Sequence, residues 1–504
     1  MTASLSSSTL QSAVQAASTA MLPEHLLLLG MVLLIVLEIT GRWPRATLPL
    51  ALAAVGAAAL ASARLSLAGF SAAPFPGHLS VAPASLLAKA MVLALALPVL
   101  LMARGEFGDS PGKAAGSSGP SAAPDMSGEF AILLLASLYG ACLMQSADSF
   151  LTLFLGLEIL SLPVYVLVLL AYRRPQAAEA ALKYLVLGGT ATAMLLMGAS
   201  LLYGATGSLA METFARALSA GGAADPLARA AAVLVLLALF LKGAVVPFHA
   251  WAPDAYEGAS VPVTAYMAVI VKAAVLLAAV RLFGNATLAS PLLELVAVLP
   301  LASIVWGNLA AMRQASLRRM IAYSSIAHAG YLFYALLGAP AGRLQAVVFY
   351  LLAYGLLNLL AFAALPAAAD DGQRDRLDHL KGLFHRAPFS ALLLGVAMLS
   401  LAGLPPFPGF VAKFLIFKNV LAAGYTLYAV LGLLGSYLGL YFYLRVIQLM
   451  FMSPAAGPAS VGDGNGDGNG NSRRLALGAS LACLACLTGT VIVAVLPGWV
   501  LQHL

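Results

Sequence analysis

Four ionisable side chains deep inside long apolar runs are the main candidates for chemistry in this 504-residue sequence. They are Glu158, Lys242, Lys272 and Lys413, and each lies well inside a stretch long enough to cross a bilayer. An ionisable group near the bilayer centre costs about 2.5–3.5 kcal/mol on insertion scales, so such residues commonly mark an ion or proton pathway. The four residues therefore indicate ion or proton transport rather than catalysis in a soluble active site.

The chemistry of these side chains favours protons over sodium ions. A desolvated lysine loses affinity for its proton and a nearby carboxylate restores it, so a lysine whose glutamate partner moves away becomes a proton donor. A protonated amine repels a sodium ion and offers it no acceptor. The glutamate and the three lysines are therefore predicted to be coupled proton sites. The alternative, in which the buried charges only hold helices together, stays open.

Further ionisable residues are candidates for secondary roles. Lys183 lies near the end of its apolar run and is either a secondary proton-path residue or a lysine that reaches the interface, as we expect for Lys89 and Lys418. His249 and His328 titrate near neutral pH and are predicted to relay protons, with a hydrogen-bonded packing role as an equal alternative. No HxxxH or HExxH pairing occurs, so no metal site is expected.

Prolines interrupt two of the apolar runs close to a lysine: Pro247, Pro405, Pro406 and Pro408. The first follows Lys242 by five residues, and the other three come shortly before Lys413. Proline breaks a helix because it lacks the backbone donor, and the freed carbonyls are tolerated in a membrane only where protein or water meets them. Each break therefore predicts a hydrated pocket beside a lysine. A packing kink without function is the alternative.

The elements that position these residues are membrane-spanning helices. Hydrophobic residues make up 62% of the chain and charged residues 9%, whereas a soluble domain has about 25% charged residues. This composition excludes soluble enzymes, nucleic-acid binders and secreted disulfide scaffolds. With about 20 apolar residues per span, it predicts an all-α membrane protein of fourteen transmembrane helices. These are expected near residues 22–40, 46–70, 80–103, 129–146, 149–171, 178–203, 228–251, 260–283, 291–311, 319–338, 344–367, 388–419, 423–451 and 475–500.

Two short patterns recur at an offset of five helices. AVVPFHAW (244–251) resembles GLPPFPGF (403–410), and ALKYLVLGG (181–189) resembles VVFYLLAYG (347–355). An odd offset reverses the direction of the chain, so the pattern predicts two inverted five-helix repeats, a common transporter layout. The repeats are helices 4–8 and helices 9–13, with broken helices 7 and 12.

The chain is accordingly divided into six parts. They are a flexible N-terminal extension (1–20), three helices with a linker (21–127), the first repeat (128–284), the second repeat (285–452), a Gly-rich disordered loop (453–473) and a last helix (474–504).

Most basic loop residues follow odd-numbered helices, which places those loops in the cytoplasm and both termini on the periplasmic side. The sequence has no Walker A motif, no GxGxxG motif opening a βαβ unit and no cysteine set for an iron–sulfur cluster. No redox cofactor or nicotinamide site is therefore expected on this chain.

Four segments carry a resemblance to a known family: LFLGLEILSLPVYVL (153–167), FLKGAVVPFHAWAPDAYEGASVPVTAYM (240–267), RRMIAYSSIAHAGY (318–331) and GLPPFPGFVAKF (403–414). They resemble the antiporter-like, proton-translocating membrane subunits of bacterial respiratory complex I, the NADH–quinone oxidoreductase. Among these subunits the chain is most similar to the N type. It lacks the lateral helix of the L type, has Lys413 where the M type has glutamate, and has Lys272 rather than histidine in the eighth helix.

The resemblance implies a role for each candidate residue. Glu158 would modulate the proton affinity of Lys242. Lys272 would be the central connecting residue, and Lys413 the residue on the exit side. Secondary positions on the implied path are Lys183, His249 and His328.

The resemblance also implies partners and a location. The chain would be a subunit in the membrane arm of the oxidoreductase, in the bacterial inner membrane, in contact with other membrane-arm subunits and lipid but not with nucleic acid. NADH, FMN, iron–sulfur clusters and quinone would bind partner subunits. Two alternatives remain: a subunit of a multisubunit cation/proton antiporter, which shares these motifs, and a membrane scaffold whose buried charges only fix helix packing.

Overall fold

Helices make up nearly all of the part of the chain that the structure describes. The structure is a computed structural model that describes residues 7–41, 43–108, 126–171, 174–218, 225–284, 290–366, 376–454 and 477–503. Most of the two segments predicted as disordered, 105–127 and 453–473, lies outside these described residues.

The elements follow one another in a simple order. The helices are α1 (Ser7–Ala20), α2 (Leu22–Thr40), α3 (Thr47–Leu67), α4 (Pro83–Ala103), α5 (Ser127–Gln145), α6 (Phe150–Leu169), α7 (Ala177–Thr206), α8 (Met211–Leu218), α9 (Pro226–Gly243), α10 (Trp251–Gly258), α11 (Val261–Tyr266), α12 (Lys272–Phe283), α13 (Ser290–Ala311), α14 (Leu317–Tyr334), α15 (Pro340–Ala363), α16 (Leu383–Arg386), α17 (Pro388–Ala402), α18 (Pro408–Ala422), α19 (Thr426–Phe451), α20 (Leu477–Val495) and α21 (Pro497–His503). Two strands, β1 (Ala72–Phe75) and β2 (Leu79–Val81), form an antiparallel hairpin between α3 and α4.

The membrane spans agree with the sequence prediction. Within the described ranges, thirteen helical segments are long and apolar enough to cross a membrane. They match thirteen of the fourteen predicted spans. The twelfth predicted span is divided into α17 and α18, each of 15 residues and therefore too short to cross alone. Spans are numbered 1 to 14 below: α2, α3, α4, α5, α6, α7, α9 with α10, α11 with α12, α13, α14, α15, α17 with α18, α19 and α20.

Spans 7 and 12 are broken at the proline clusters, as predicted. Ala244, between α9 and α10, has a left-handed backbone conformation (φ 60°). Gly403, between α17 and α18, has one as well (φ 87°). The peptide bonds before Pro247 and Pro406 are cis. Span 8 is also irregular, because a π-helical turn, Met267–Val271, joins α11 to α12.

Helix packing repeats with the offset of five spans that the sequence motifs indicate. Span 4 packs along span 5, and span 9 packs in the same way along span 10. Span 6 packs along the first half of span 7, and span 11 contacts both halves of span 12. Span 8 is buried along its whole length and spans 10 and 11 nearly so. The centre of the bundle is therefore built from spans 8, 10 and 11.

The N-terminal extension differs from its predicted flexibility, because residues 7–20 form α1. This segment is rich in Ala and Gln, which favour helix. Its last residue, Ala20, is buried against Val81 and Leu86, so an apolar contact holds its end. α1 and the β-hairpin together pack at the end of the bundle where α2 and α4 begin.

Small residues set the position of the helix that carries Glu158. Gly140 of α5 faces Gly156 of α6, and a Cβ atom added to Gly140 would overlap the α6 backbone at Ile159 and Leu160. Small residues allow transmembrane helices to approach this closely. The crossing therefore determines where the Glu158 carboxylate lies relative to spans 6 and 7.

We predict that Gly140→Ala lowers stability by about 1–3 kcal/mol, because the added methyl group forces two backbones apart. Gly189→Ala is the matched control, since nothing lies within 4 Å of the added Cβ atom at that helical glycine. The measurement is the temperature at which the detergent-extracted protein aggregates. Equal temperatures for the two variants would show that the α5–α6 contact does not limit stability.

Candidate functional site

The amine of Lys242 is held by hydroxyl groups of α6. Lys242 is 7% exposed, and its Nζ donates to Ser161 Oγ at 3.0 Å and to Tyr165 OH at 3.3 Å. Ser161 and Tyr165 follow Glu158 by three and seven residues on the same helix, so all three side chains share one face of α6. The lysine is therefore kept within one or two helical turns of the glutamate.

The Glu158 carboxylate has a neutral partner of its own. Thr192 of α7 donates its hydroxyl to Glu158 Oε1 at 2.5 Å. Among the described residues, no ion pair within 4.0 Å joins Glu158 to Lys242. The attraction between the two charges therefore acts over a gap. Because this attraction varies inversely with distance, a change of protonation or position at Glu158 is felt directly at Lys242.

The second half of span 7 begins against the first half, next to Lys242. The Trp251 indole donates to the carbonyl of Leu241 at 2.9 Å, the residue before Lys242. Tyr184 stacks on Trp251 with ring centroids 4.5 Å apart, and Tyr165 meets the Tyr184 ring edge-on at 4.7 Å. The start of α10 is therefore fixed to the surroundings of Lys242.

Lys272 lies in the centre of the bundle and points toward α14. Its Nζ donates to the Ser325 carbonyl at 2.5 Å and also contacts Ser325 Oγ. Tyr256 of α10 hydrogen-bonds the same Ser325 hydroxyl at 3.3 Å. The π-helical turn ends immediately before Lys272, and such turns frequently occur at functional sites. α10 thus contacts the surroundings of Lys242 at one end and the hydroxyl partner of Lys272 at the other.

His328 continues the polar chain from Lys272. It is 4% exposed, and its ring nitrogens hydrogen-bond Tyr350 OH at 2.7 Å and Tyr443 OH at 3.1 Å. Tyr443 OH also contacts the hydroxyl of Ser324, which directly precedes the Ser325 that binds Lys272. Hydroxyl and imidazole groups therefore lie between Lys272 and His328, although among the described residues no side-chain hydrogen bond joins Ser325 to Ser324.

Lys413 stands beyond these groups. Its Nζ donates to the Ala402 carbonyl at 3.0 Å, a carbonyl freed by the break in span 12, and to Ser436 Oγ at 3.1 Å. The ammonium group lies 5.2 Å from the centroid of the Tyr331 ring, in range for a cation–π interaction. The Tyr331 ring is 5.6 Å from that of His328. Ring contacts therefore connect the surroundings of His328 with Lys413 at the second helix break.

Two sequence candidates lie away from these groups. Lys183 is 44% exposed and pairs with Glu179 at 2.6 Å and with Asp254 at 2.8 Å. His249 accepts a hydrogen bond from the Trp306 indole at 3.1 Å, on the outward-facing side of α13. The structure therefore brings Glu158, the three central lysines and His328 together, but not Lys183 or His249.

A surface ion-pair network was not identified from the sequence. Arg319 of α14 donates to Asp254 at 2.9 Å and to Glu257 at 2.8 Å, and Asp254 also accepts from Lys183. The network joins α7, α10 and α14 at the end of α10. Both carboxylates belong to the motif PFHAWAPDAYEGA, and their three-residue spacing was the available signal. The tyrosine relays gave no such signal, because tyrosine is common in apolar runs.

The hydroxyl, imidazole and amine groups near the three lysines can pass protons. Each hydroxyl both donates and accepts a hydrogen bond, and a neutral amine accepts a proton that an ammonium gives up. Within the described ranges, no three His, Cys, Asp or Glu side chains converge as metal ligands.

Comparisons with known proteins identify the family to which the chain belongs. A protein-family model described as "NADH:quinone oxidoreductase/Mrp antiporter, TM" matches residues 147–439. NADH-quinone oxidoreductase subunit N of Pelobacter propionicus is 44% identical over 324 residues, which cover 64% of this chain and 69% of that protein. The corresponding subunit N of Geobacter metallireducens is 41% identical over 331 residues, or 65% and 69% of the two chains.

Two solved structures extend the similarity to almost the whole chain. A chain of respiratory complex I from Thermus thermophilus is 34% identical, with a TM-score of 0.75 over 95% of this chain and 98% of that one. A chain of the Mrp complex from Dietzia has the same fold, with a TM-score of 0.78 over 97% and 96% of the chains, at 22% identity.

We predict that Tyr443→Phe slows proton transport by about tenfold, because it removes the hydroxyl between Ser324 and His328. Loss of one positioned proton-transfer group lowers a reaction rate further, by about 10²–10⁴-fold, when no other group takes over its role. Tyr437→Phe is the control, because Tyr437 lies on the same helix and is 65% exposed. The measurement is the rate of acidification of sealed vesicles. A rate equal to that of the control would remove Tyr443 from the path.

We predict that Asp254→Asn lowers stability by about 1 kcal/mol, because both the Lys183 and the Arg319 ion pairs weaken and such partly exposed pairs are worth little singly. Glu179→Gln, which affects only the Lys183 pair, should stay within about 0.5 kcal/mol of the wild type. Denaturation in detergent compares the two. If Glu179→Gln were the more damaging change, the network around α10 would not hold this end of the bundle.

Proposed function

Because the chain belongs to the NADH:quinone oxidoreductase/Mrp antiporter family of membrane proteins, we propose that it is an N-type, proton-translocating subunit in the membrane arm of NADH–quinone oxidoreductase. It couples the oxidation of NADH by quinone to proton export. The observation that carries the proposal is the buried set of lysines, hydroxyls and imidazole between the two broken helices. The similarity to relatives named NADH-quinone oxidoreductase subunit N indicates the reaction that drives transport, which is the oxidation of NADH by quinone.

Proton loading occurs at Glu158 and Lys242. An attractive carboxylate keeps the proton on a buried amine, and weakening that attraction releases it. Protonation or displacement of Glu158 therefore turns Lys242 into a donor. Ser161 and Tyr165 bind the amine through neutral groups, so they hold its position without fixing its charge.

Transfer proceeds through the centre of the bundle. α10 joins the two inner lysines, because Trp251 contacts the backbone beside Lys242 and Tyr256 shares the serine of Lys272. From Lys272 the proton moves toward Lys413 past the side chains of Ser325, Ser324, Tyr443, His328 and Tyr331. It arrives at Lys413, whose partners are a serine hydroxyl and a free carbonyl.

The energy for transport comes from other subunits. NADH, FMN, iron–sulfur clusters and quinone bind partner subunits, and this chain contacts its membrane-arm neighbours and the lipid bilayer. Changes in those neighbours reach the buried set by altering the charge or position of Glu158. The secondary residues Lys183 and His249 act outside the buried set: Lys183 holds α10 through Asp254, and His249 lies beside the first break.

The chain crosses the bacterial inner membrane many times with both termini on the periplasmic side. Basic residues in the loops after odd-numbered helices support this orientation. A three-helix unit (21–127) precedes the two inverted repeats (128–284 and 285–452), and one helix follows them (474–504). The Arg319 network then faces the cytoplasm, at the entry side of the path.

A cation/proton antiporter subunit is the second candidate, favoured by the fold shared with the Mrp complex. The lysine-bearing motifs do not separate the two candidates, because one family model describes both kinds of protein. The two functions differ in their energy source. NADH-driven acidification supports the first function, and sodium-dependent exchange without NADH supports the second.

We predict that Lys242→Ala lowers NADH-driven acidification of inverted membrane vesicles by about tenfold or more, because a positioned proton-transfer group is lost. The matched control is Lys381→Ala, an exposed lysine paired with Asp378 outside the spans. A native gel measures assembly of the complex in each strain. NADH oxidation is recorded in the same vesicles.

The assembled Lys242→Ala complex distinguishes the candidates. Lost acidification, with oxidation slowed or uncoupled, supports the pump. Normal oxidation and normal acidification would assign Lys242 a purely structural role and contradict the proposed path. Acidification that depends on sodium but not on NADH would favour the antiporter.

A further inference from the structure

The N-terminal three-helix unit holds a buried ion pair that the path above does not use. Lys89 Nζ of α4 lies 2.6 Å from Glu24 Oε1 of α2, and the side chains are 1% and 2% exposed. The expectation that Lys89 reaches the membrane interface is therefore wrong, because a carboxylate neutralises its charge inside the protein. Both residues precede the segment matched by the family model.

The pair is a poor source of stability. Glu24 Oε2 is buried without a hydrogen-bond partner, and Lys89 Nζ has no hydrogen bond of good geometry in addition to the ion pair. Buried ion pairs seldom stabilise a fold more than apolar side chains of similar size, and an unpaired carboxylate oxygen adds a desolvation cost. A buried polar atom without a partner requires an explanation, such as a bound water or a chemical role.

The pair lies against a helix that reaches span 8 near Lys272. α2 and α4 both pack on α5, where Tyr139 and Cys142 lie within electrostatic range of Glu24. One turn beyond Cys142, Gln145 donates to the Ala274 carbonyl at 3.2 Å, two residues after Lys272 in sequence. α5 therefore places the ion pair beside the central span.

The opposite side of the pair faces the end of the bundle where α2 and α4 begin. The β-hairpin packs there and is tied to the ends of spans 4 and 8. Ser80 N donates to the Ser146 carbonyl at 2.9 Å, and Arg281 Nη2 donates to the Ser80 carbonyl at 3.0 Å. In the proposed orientation this end, with the hairpin and α1, faces the periplasm.

We propose that Glu24 and Lys89 form a proton-exchange site on the periplasmic side of the N-terminal unit. The proposal rests on the proposed proton-translocating function. A proton arriving from the span 8 side forms an O–H bond on the Glu24 carboxylate, which leaves the Lys89 ammonium without its counter-charge. Lys89 then releases a proton toward the hairpin, and the Glu24 proton moves to the lysine amine. One proton enters, one leaves, and the ion pair is restored.

The test compares charge-free and exposed-site variants in the assembled complex. Glu24→Gln with Lys89→Met removes both charges together, so no unpaired charge remains buried. Glu294→Gln and Lys418→Met are matched controls, because these residues lie exposed on spanning helices. The measurements are acidification per NADH oxidised in inverted vesicles and assembly on a native gel.

We expect the assembled double variant to lose acidification per NADH by about tenfold or more, as for loss of a positioned proton-transfer group, while the controls keep the wild-type ratio. Wild-type acidification in the double variant, together with lost acidification in Lys242→Ala, overturns this inference alone. Wild-type acidification in both variants overturns the proposed function as well.

If the double variant does not assemble, the variant Glu24→Asp tests the proposal instead. This variant keeps the carboxylate but withdraws it from the lysine by one methylene group. An exchange site predicts that the pH dependence of acidification shifts relative to that of NADH oxidation. A purely structural pair predicts an unchanged pH profile in whatever complex assembles, which would contradict the proposal.

Discussion

A charged amine buried among apolar helices must find acceptors inside the protein, and this requirement accounts for the form of the bundle. Lys413 obtains a backbone carbonyl because span 12 is broken at Ala402, and Lys272 obtains one from Ser325. Lys242 relies on two hydroxyl groups one helix away. Because unpaired polar groups in hydrocarbon cost several kcal/mol each, helices that supply these acceptors must pack closely, and span 8, which carries Lys272, lies in the centre with spans 10 and 11.

Neutral acceptors make the lysines suitable for transfer. A lysine paired directly with a carboxylate would hold its proton firmly, whereas a lysine on hydroxyls and carbonyls keeps its position in either charge state. Glu158 therefore acts through a gap, while Thr192 binds it separately. The short helix α10 joins two such sites mechanically, since Trp251 and Tyr256 contact the neighbourhoods of both inner lysines. Its outer end is held by ion pairs that remain accessible to solvent.

The sequence predicted the elements better than the contacts between them. Apolar runs of about 20 residues and clustered prolines specify spans and breaks locally, so both were predicted correctly. Partners distant in sequence were not predictable: Lys183 meets Asp254 across 71 residues, which places it in a surface ion-pair network. Lys89 near the start of span 3 resembled an interfacial lysine until Glu24 of span 1 supplied its charge. The π-helical turn before Lys272 has no proline or glycine to indicate it.

The two glutamate–lysine arrangements differ in a way that follows from their surroundings. Glu158 and Lys242 each have neutral hydrogen-bond partners, so separating their charges leaves no group unsatisfied. Glu24 and Lys89 are paired mainly with each other, at 2.6 Å. Neutralising one of them therefore leaves the other as an unpaired buried charge, which is costly. The first arrangement tolerates changes of charge and suits a loading site. In the second arrangement the ion pair is favoured over any state in which one charge is neutralised, which suits a site that must not retain a proton.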